Sequence, residues 1–363
     1  MKQMRSEIRS PYMEFAKLRS HARFNLATSG LAGLPLSDLP VRLEDLQLSS
    51  PGGYGYPPLM ERLAKKAGVP VNCVVAATGT SMANHLAMAG ILEPGDEVLI
   101  EHPTYELLVT VAEYLGARVR RFPRRFEDGF RVDPGEVAKA MTPRTQLIVL
   151  TNFHNPSGVR IDDAALREVG ELARNAGARV LVDEVYLDML FDPSVRPAFH
   201  LGEHFVVTSS LTKAYGLSGL RCGWILAAPE LAERIWRLND LYGVIPPPVA
   251  EQLSVIALDH LDEISGRARA LLGKNRLALD QFLDSRQDLA AVRAPAGTIV
   301  FPRLLTGTVD RLCALLREKY DTTVVPGKFF EMPEHFRLGI GGDSEMTCEG
   351  LNRLAAALDE LSG

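Results

Sequence analysis

The chain has 363 residues, 46% of them hydrophobic and 23% charged, with a formal net charge of −5. That is ordinary for a folded protein and excludes the basic footprint of a nucleic-acid binder. The length predicts two domains, or one large and one small.

The segment 1–23 alternates charge with scattered apolar residues and lacks the apolar core of a signal peptide. No apolar run is long enough to cross a bilayer. Cys73, Cys222, Cys313 and Cys348 stand far apart and form no CxxC pair. That argues against a structural zinc site or a disulfide framework and fits a reducing compartment. The expectation is a cytoplasmic protein with no membrane partner, no nucleic-acid partner and no metal.

Residues 1–45 read as an arm followed by an extended segment that ends its first stretch on Gly30, where the backbone can turn or lie close to a ligand. A Pro/Gly/Tyr cluster at 50–58 is a loop, and helical spacing resumes at Leu59, Leu63 and Ala67. From Cys73 to about Pro248, short β-branched runs alternate with helical patterns. The runs are 74–77, 97–100, 118–122, 147–150, 179–182 and 204–207. This alternation predicts βαβ units in an α/β fold with a mostly parallel sheet, all strand C-termini on one edge. Residues 250–290 read as one long helical stretch, and the rest as a smaller α+β unit with a closing helix near 345–361. The expected division is a large domain at 46–250 and a smaller domain formed by 1–45 and 251–363.

Several chemically capable residues fall directly after strands. Asn155 follows 147–150, Asp183 follows 179–182, and Ser210 and Lys213 follow 204–207. Thr80 and Ser81 stand at a helix start, where a capping role and anion binding are compatible. A lysine among small hydroxyl residues and glycines is, alone, an ordinary loop lysine. Parallel neighbouring strands would instead bring an amine, a carboxylate, an amide and an anion site to one sheet edge. A pyridine aldehyde phosphate needs that set.

With these residues in place, the chain resembles the class I/II aminotransferases of fold-type I, pyridoxal 5′-phosphate (PLP) enzymes, over about 25–337. The segment around Lys213 reads S-x-x-K-x-x-G-L-x-G-x-R-x-G-W, and Lys213 matches the family's Schiff-base lysine. The resemblance implies that Ser210, Arg221, Thr80 and Ser81 hold the cofactor phosphate. It implies that Asp183 pairs with the ring nitrogen, that Asn155 and Tyr186 bond the phenolic oxygen, and that Tyr105 stacks on the ring. Arg337 matches the arginine that grips the substrate α-carboxylate, and Gly30 the segment that closes over the substrate. Tyr54 or Tyr56, with Tyr54 preferred, matches a tyrosine given to the neighbouring subunit's phosphate, although the loop around them is shorter than usual. A homodimer with shared sites follows. His154 reads as a packing residue and Cys222 as a small buried one.

In the family the chain resembles, enzymes that favour dicarboxylates often carry a second arginine, from the partner subunit, on the loop some tens of residues after the lysine. Here that loop, 241–248, is apolar and has no arginine, so the resemblance implies a substrate with a neutral or apolar side chain, or recognition by other residues. The implied reaction is ping-pong transamination between an α-amino acid and a 2-oxo acid. Elimination, replacement or cyclisation on the same cofactor is the alternative. A non-catalytic regulator module with an appended DNA-binding domain finds too few residues ahead of Asn25. A nicotinamide dehydrogenase finds no GxGxxG after a strand.

Overall fold

A computed structural model describes residues 9–49 and 52–362. The first eight residues of the arm, and Ser50 and Pro51 of the turn cluster, lie outside the described residues. The elements in chain order begin with α1 (Pro11–Leu18), β1 (Phe24–Asn25), α2 (Pro57–Ala67), β2 (Val74–Thr78), α3 (Gly79–Ile91), β3 (Glu97–His102) and α4 (Glu106–Tyr114). Next come β4 (Arg118–Pro123), α5 (Pro134–Ala140), β5 (Thr145–Thr151), α6 (Asp163–Asn175), β6 (Arg179–Asp183), β7 (Phe205–Ser210) and β8 (Cys222–Leu226). They are followed by α7 (Pro229–Asn239), α8 (Pro248–Asp259), α9 (Leu261–Asp284), β9 (Leu289–Ala290), β10 (Ile299–Val300) and β11 (Arg303–Leu304). The chain ends with α10 (Val309–Tyr320), β12 (Thr322–Thr323), β13 (Val325–Pro326), β14 (Phe336–Gly339) and α11 (Ser344–Ser362).

β2 to β8 form one seven-stranded sheet in the order β2-β8-β7-β6-β5-β3-β4. Every pair is parallel except those of β8, which runs antiparallel to both β2 and β7. The central strands are unbroken apolar runs because both faces are covered: Leu147 to Leu150 and Val180 to Val182 are fully buried. Helical crossovers then deliver the strand C-termini to one edge. This is the α/β architecture of fold-type I aminotransferases.

A second core gathers Leu26, Leu279, Leu283, Val300, Leu312 and Leu354. The extended N-terminal segment belongs to it, since β1 pairs in parallel with β12, Phe24 against Thr322. Two local expectations are corrected. The arm contains a helix, α1, whose N-terminus is capped by the Ser10 hydroxyl accepting from the Met13 N–H at 3.1 Å. The stretch 250–290 is two helices. His260 leaves helical geometry (φ −112°, ψ 24°), yet its carbonyl already accepts from the Ile264 N–H. The apolar spacing runs through the break, so sequence periodicity does not register it.

Candidate active site

A cavity of about 360 Å³ opens at the C-terminal edge of the sheet. Asp183, at the end of β6 and 5% exposed, lines it. The Asn84 amide of α3 donates to Asp183 Oδ2 at 2.8 Å, and the Val185 N–H to Oδ1 at 3.1 Å. Asn84 is itself fixed by the Thr208 hydroxyl at 2.5 Å. Burial pushes the Asp183 carboxyl up to about 6, against those two hydrogen bonds and the Lys213 charge. A cation placed beside it would restore its ionised form.

Next to it, the β5 end is anchored by a buried ion pair. Arg124 and Glu101 have fully buried side chains and meet at 2.7 Å. Glu101 Oε1 accepts from the Thr151 N–H at 2.8 Å and hydroxyl at 2.5 Å. The Thr151 hydroxyl accepts in turn from the Asn155 N–H at 3.1 Å. Asn155 Oδ1 then accepts from Arg337 at 2.9 Å. One continuous chain of contacts therefore runs from Arg124 to Arg337.

Lys213 projects into the cavity from the loop after β7, and its Nζ donates to the Ser29 hydroxyl at 3.0 Å. Burial, with Arg337 and Arg221 nearby, pushes its amine down to about 8, against the pull of Asp183. Beside it, Thr80 donates to Ser210 Oγ at 2.8 Å at the N-terminus of α3. Arg221, exposed, donates to the Thr78 carbonyl at 3.2 Å. The close approach here needs glycine. Gly79 has φ +81°, and a Cβ there would run into the Arg221 guanidinium. A Cβ on Gly223 would come within 2.5 Å of the Gly79 backbone. The α3 N-terminus, two hydroxyls and a guanidinium thus form an anion cradle.

The roof comes from the N-terminal residues. Tyr12 of α1 accepts from Arg337 at 3.0 Å, and its ring meets Tyr105 edge-on at 5.5 Å. Arg337 is 1% exposed, also donates to the Ala27 carbonyl at 2.9 Å, and keeps a buried Nε with no partner. Glu106 of α4 accepts from the Ser10 hydroxyl and the Tyr12 N–H, both at 2.8 Å, latching the start of α1. Further along, the Leu31 N–H bonds the Lys213 carbonyl at 3.0 Å, and a Cβ on Gly30 would press on Lys213 Cδ at 3.3 Å.

The cavity therefore brings together Thr80, Ser81, Tyr105, Asn155, Asp183, Tyr186, Ser210, Lys213 and Arg221. Arg337 sits behind its Tyr12–Asn155 wall, and Gly30 lies against the Lys213 side chain. Tyr54 is elsewhere. It is 56% exposed, packs on Trp236 and donates to Asp240 at 3.0 Å. His154 is fully buried, bonded to Ser157 and the Pro103 carbonyl, and burial pushes its pKa well down. Burial pushes the Cys222 thiol up to about 12. Sequence reasoning missed Tyr12, Ser29 and Asn84. Asn84 lies one helical turn after Thr80 on the same face of α3, which was a readable signal.

Residues 47–354 match the sequence pattern of the family described as aminotransferase class I and II. The chain belongs to that family. It is 32% identical over 274 residues to capreomycidine synthase from Streptomyces vinaceus, covering 74% of this chain and 70% of that one. It is 31% identical over 317 residues to the arginine–pyruvate transaminase AruH of Pseudomonas aeruginosa, covering 84% and 80%. Among solved structures, it superposes on a PLP-dependent cyclase, OrfR, with a TM-score of 0.88 at 25% identity, over 99% of both chains.

Enzymes of the class I and II aminotransferase family use pyridoxal 5′-phosphate. The donor set here suits that molecule. The cradle at Gly79 and Gly223 offers hydroxyls, a helix N-terminus and a guanidinium to a phosphate, while a buried carboxyl and a lysine amine line the same cavity. This is a PLP-dependent enzyme of the family, whose relatives include transaminases, a synthase and a cyclase. No helix among the described residues is long and apolar enough to cross a membrane.

Proposed function

We propose that this enzyme is an aminotransferase. It moves an amino group from an α-amino acid with a neutral or apolar side chain to a 2-oxo acid, in two alternating half-reactions. The observation that carries the reading is the meeting of Lys213, Asp183 and Asn155 in one cavity, with Arg337 bonded to Asn155. In this reading Thr80, Ser81, Ser210 and Arg221 hold the phosphate, and Tyr105 covers the ring. Asn155 and Tyr186 bond the phenolic oxygen, and Asp183 keeps the ring nitrogen protonated. When bound, the cofactor supplies an electron sink for the charge left as the substrate's α-proton departs.

Arg337 binds the α-carboxylate, for which its unpaired Nε is a ready donor. That grip aims the α-hydrogen at Lys213. An amine pushed down to about 8 is substantially neutral near that pH, so Lys213 can take the proton and return it. The charged residues lining the described cavity are Asp183, Lys213 and Arg221, each with a role above, which leaves Met13, Phe15, Ala16 and Val325 to meet a neutral side chain.

The large domain at 46–250 carries the cofactor, and 1–45 with 251–363 supplies Arg337 and the roof. A homodimer in the cytoplasm completes the proposal. Exposed Leu43, Leu48, Tyr54, Leu241 and Val244 offer apolar surface for a second copy, with Tyr54 reaching the partner's phosphate. A second reading, cyclisation or elimination of an amino acid on the same cofactor, is supported by the likeness to capreomycidine synthase and the OrfR cyclase.

Lys213→Ala should lower turnover by roughly 10⁴-fold or more and abolish covalent retention of the cofactor on the protein. Normal activity in that variant would overturn the assignment. Amino transfer that depends on an added 2-oxo acid selects the first reading. Release of ammonia or of a cyclised product without it selects the second. Aspartate or glutamate as far the best donor would refute the neutral side chain.

A further inference from the structure

A second cavity, of about 420 Å³, lies across the sheet from the active site. Side chains alternate along a strand, so neighbours in sequence face opposite ways. Ser210 lines the active-site cavity, while Ser209 lines the second one. Trp224 of β8 is the cross-strand partner of Ser209 and lines the same cavity. Asp183 and Glu184 divide in the same way, one to each cavity.

The second cavity has aromatic walls and an unbalanced charge. Lys66 is taken by Asp188 at 2.9 Å. Arg269 donates to the Phe191 carbonyl at 2.8 Å and lies over the Phe191 ring at 5.6 Å. Glu184 differs from these. It is 3% exposed, and one of its oxygens accepts the Ala198 N–H at 3.1 Å. Among the described residues, no lysine or arginine forms an ion pair with it, and its side chain lines the cavity. Asp262, in the first turn of α9, adds a further carboxylate to the lining. Burial pushes Glu184 up to about 8, with Asp188 and Asp183 adding to the effect and the Ala198 N–H and the Arg160 charge opposing it. A buried carboxyl with no ion-pair partner is costly to ionise, and a cation entering the cavity lowers that cost.

We infer that this cavity is a binding site for a small organic cation, a guanidinium or ammonium group on a short apolar body. Glu184 takes the charge, while Trp224 and Tyr215 take the body through ring-face contact. Glu184 adjoins Asp183, Ser209 adjoins Ser210, and Tyr215 lies in the Lys213 loop. An occupant therefore touches the rear of the backbone segments that set the active-site floor. The inference holds whichever reaction the active site performs.

The chain has two tryptophans. Trp224 is in this cavity's wall, and Trp236 is on α7 against Tyr54. Holoenzyme labelled with 5-fluorotryptophan should give one fluorine signal from each. Titration with n-butylguanidinium should shift the Trp224 signal saturably and leave Trp236 in place, while pentanoate shifts neither. Glu184→Gln should weaken binding by about tenfold or more. Asp262→Asn, at an exposed position that spares the core, should weaken it by roughly threefold. The proposal is overturned by a Trp224 signal that does not move, by Trp224 and Trp236 moving together, or by pentanoate acting like the cation. Undiminished affinity in folded Glu184→Gln, or in Asp262→Asn should Glu184→Gln not fold, overturns it equally.

Discussion

Below the cavity, each polar side chain is held by another that is itself held. Asp183 rests on Asn84 and Asn84 on Thr208, while Asn155 rests on Thr151 and Thr151 on Glu101 and Arg124. Above it, Tyr12 meets Arg337, Ser29 meets Lys213 and Tyr186, and α1 is latched at its start by Glu106. Rigidity below and few tethers above suit a site that must fix a cofactor while admitting and releasing substrate. Local opening costs least where the fewest buried contacts are lost. Changes to the floor should therefore cost stability and chemistry together, and changes to the roof should cost substrate affinity.

The largest effect is expected beneath the floor. Glu101→Gln leaves the buried Arg124 guanidinium without its counter-charge, at a cost of about 3–5 kcal/mol. The urea midpoint should fall accordingly, and cofactor affinity with it, since Thr151 and Asn155 lose their anchor. A midpoint within about 1 kcal/mol of the parent would show that the pair is no foundation. The floor also sets a pH dependence. Asp183 is pushed up to about 6 and Lys213 down to about 8 in the unliganded protein. Cofactor capture uses ionised Asp183 and neutral Lys213, and both forms grow as pH rises. Capture should accelerate by about tenfold per pH unit between about 6 and 8, more steeply below about 6, and level off above about 8, followed by the visible absorbance of bound cofactor. In the unliganded protein the Asp183 contribution to stability has the opposite sign. Its folded pKa lies above the usual carboxylate value, so that contribution is lost as pH rises from about 4 through 6. A flat capture profile would refute the assignment of both groups.

The floor was readable in the sequence because its residues sit at fixed offsets from strand ends. Asn155, Asp183, Ser210 and Lys213 each follow a buried apolar run, and parallel strands put such positions on one edge. A polar residue inside a helical pattern reads as a solvent face, so only its one-turn spacing from Thr80 marks Asn84, which is 4% exposed beneath the sheet edge. The roof was hidden for a different reason. Tyr12 and Arg337 are 325 residues apart, and no local pattern links them. The pairing of β1 with β12, with the Leu26 carbonyl accepting from the Gly339 N–H, brings the N-terminal segment to the second core and so over the pocket. The break at His260 was invisible because apolar spacing continues across it.

The roof should yield smaller effects of another kind. Tyr12→Phe keeps the ring against Tyr105 and removes the hydroxyl from Arg337. A hydrogen bond to a charged group contributes about 1.5–3 kcal/mol, and a bound carboxylate recovers part of it, so KM for the amino acid should rise roughly tenfold. kcat should change by less than about threefold, because nothing at Lys213 is altered. Equal loss in kcat and kcat/KM would instead make Tyr12 part of the proton-transfer machinery.

Glu106→Ala is gentler still. It removes the acceptor for the Ser10 hydroxyl and the Tyr12 N–H but leaves the Ser10 cap on the Met13 N–H and the aromatic packing of Tyr12 and Phe15. Losing a contact of this kind costs about 0.5–2 kcal/mol, spent on the opening of α1 rather than on global unfolding. Limited proteolysis near residues 9–20 should speed up several-fold with the urea midpoint unchanged, and saturating substrate should suppress the cleavage by drawing Tyr12 back toward Arg337. If cleavage and midpoint moved together, α1 would be part of the same cooperative unit as the floor, and the roof would have no independent freedom to open.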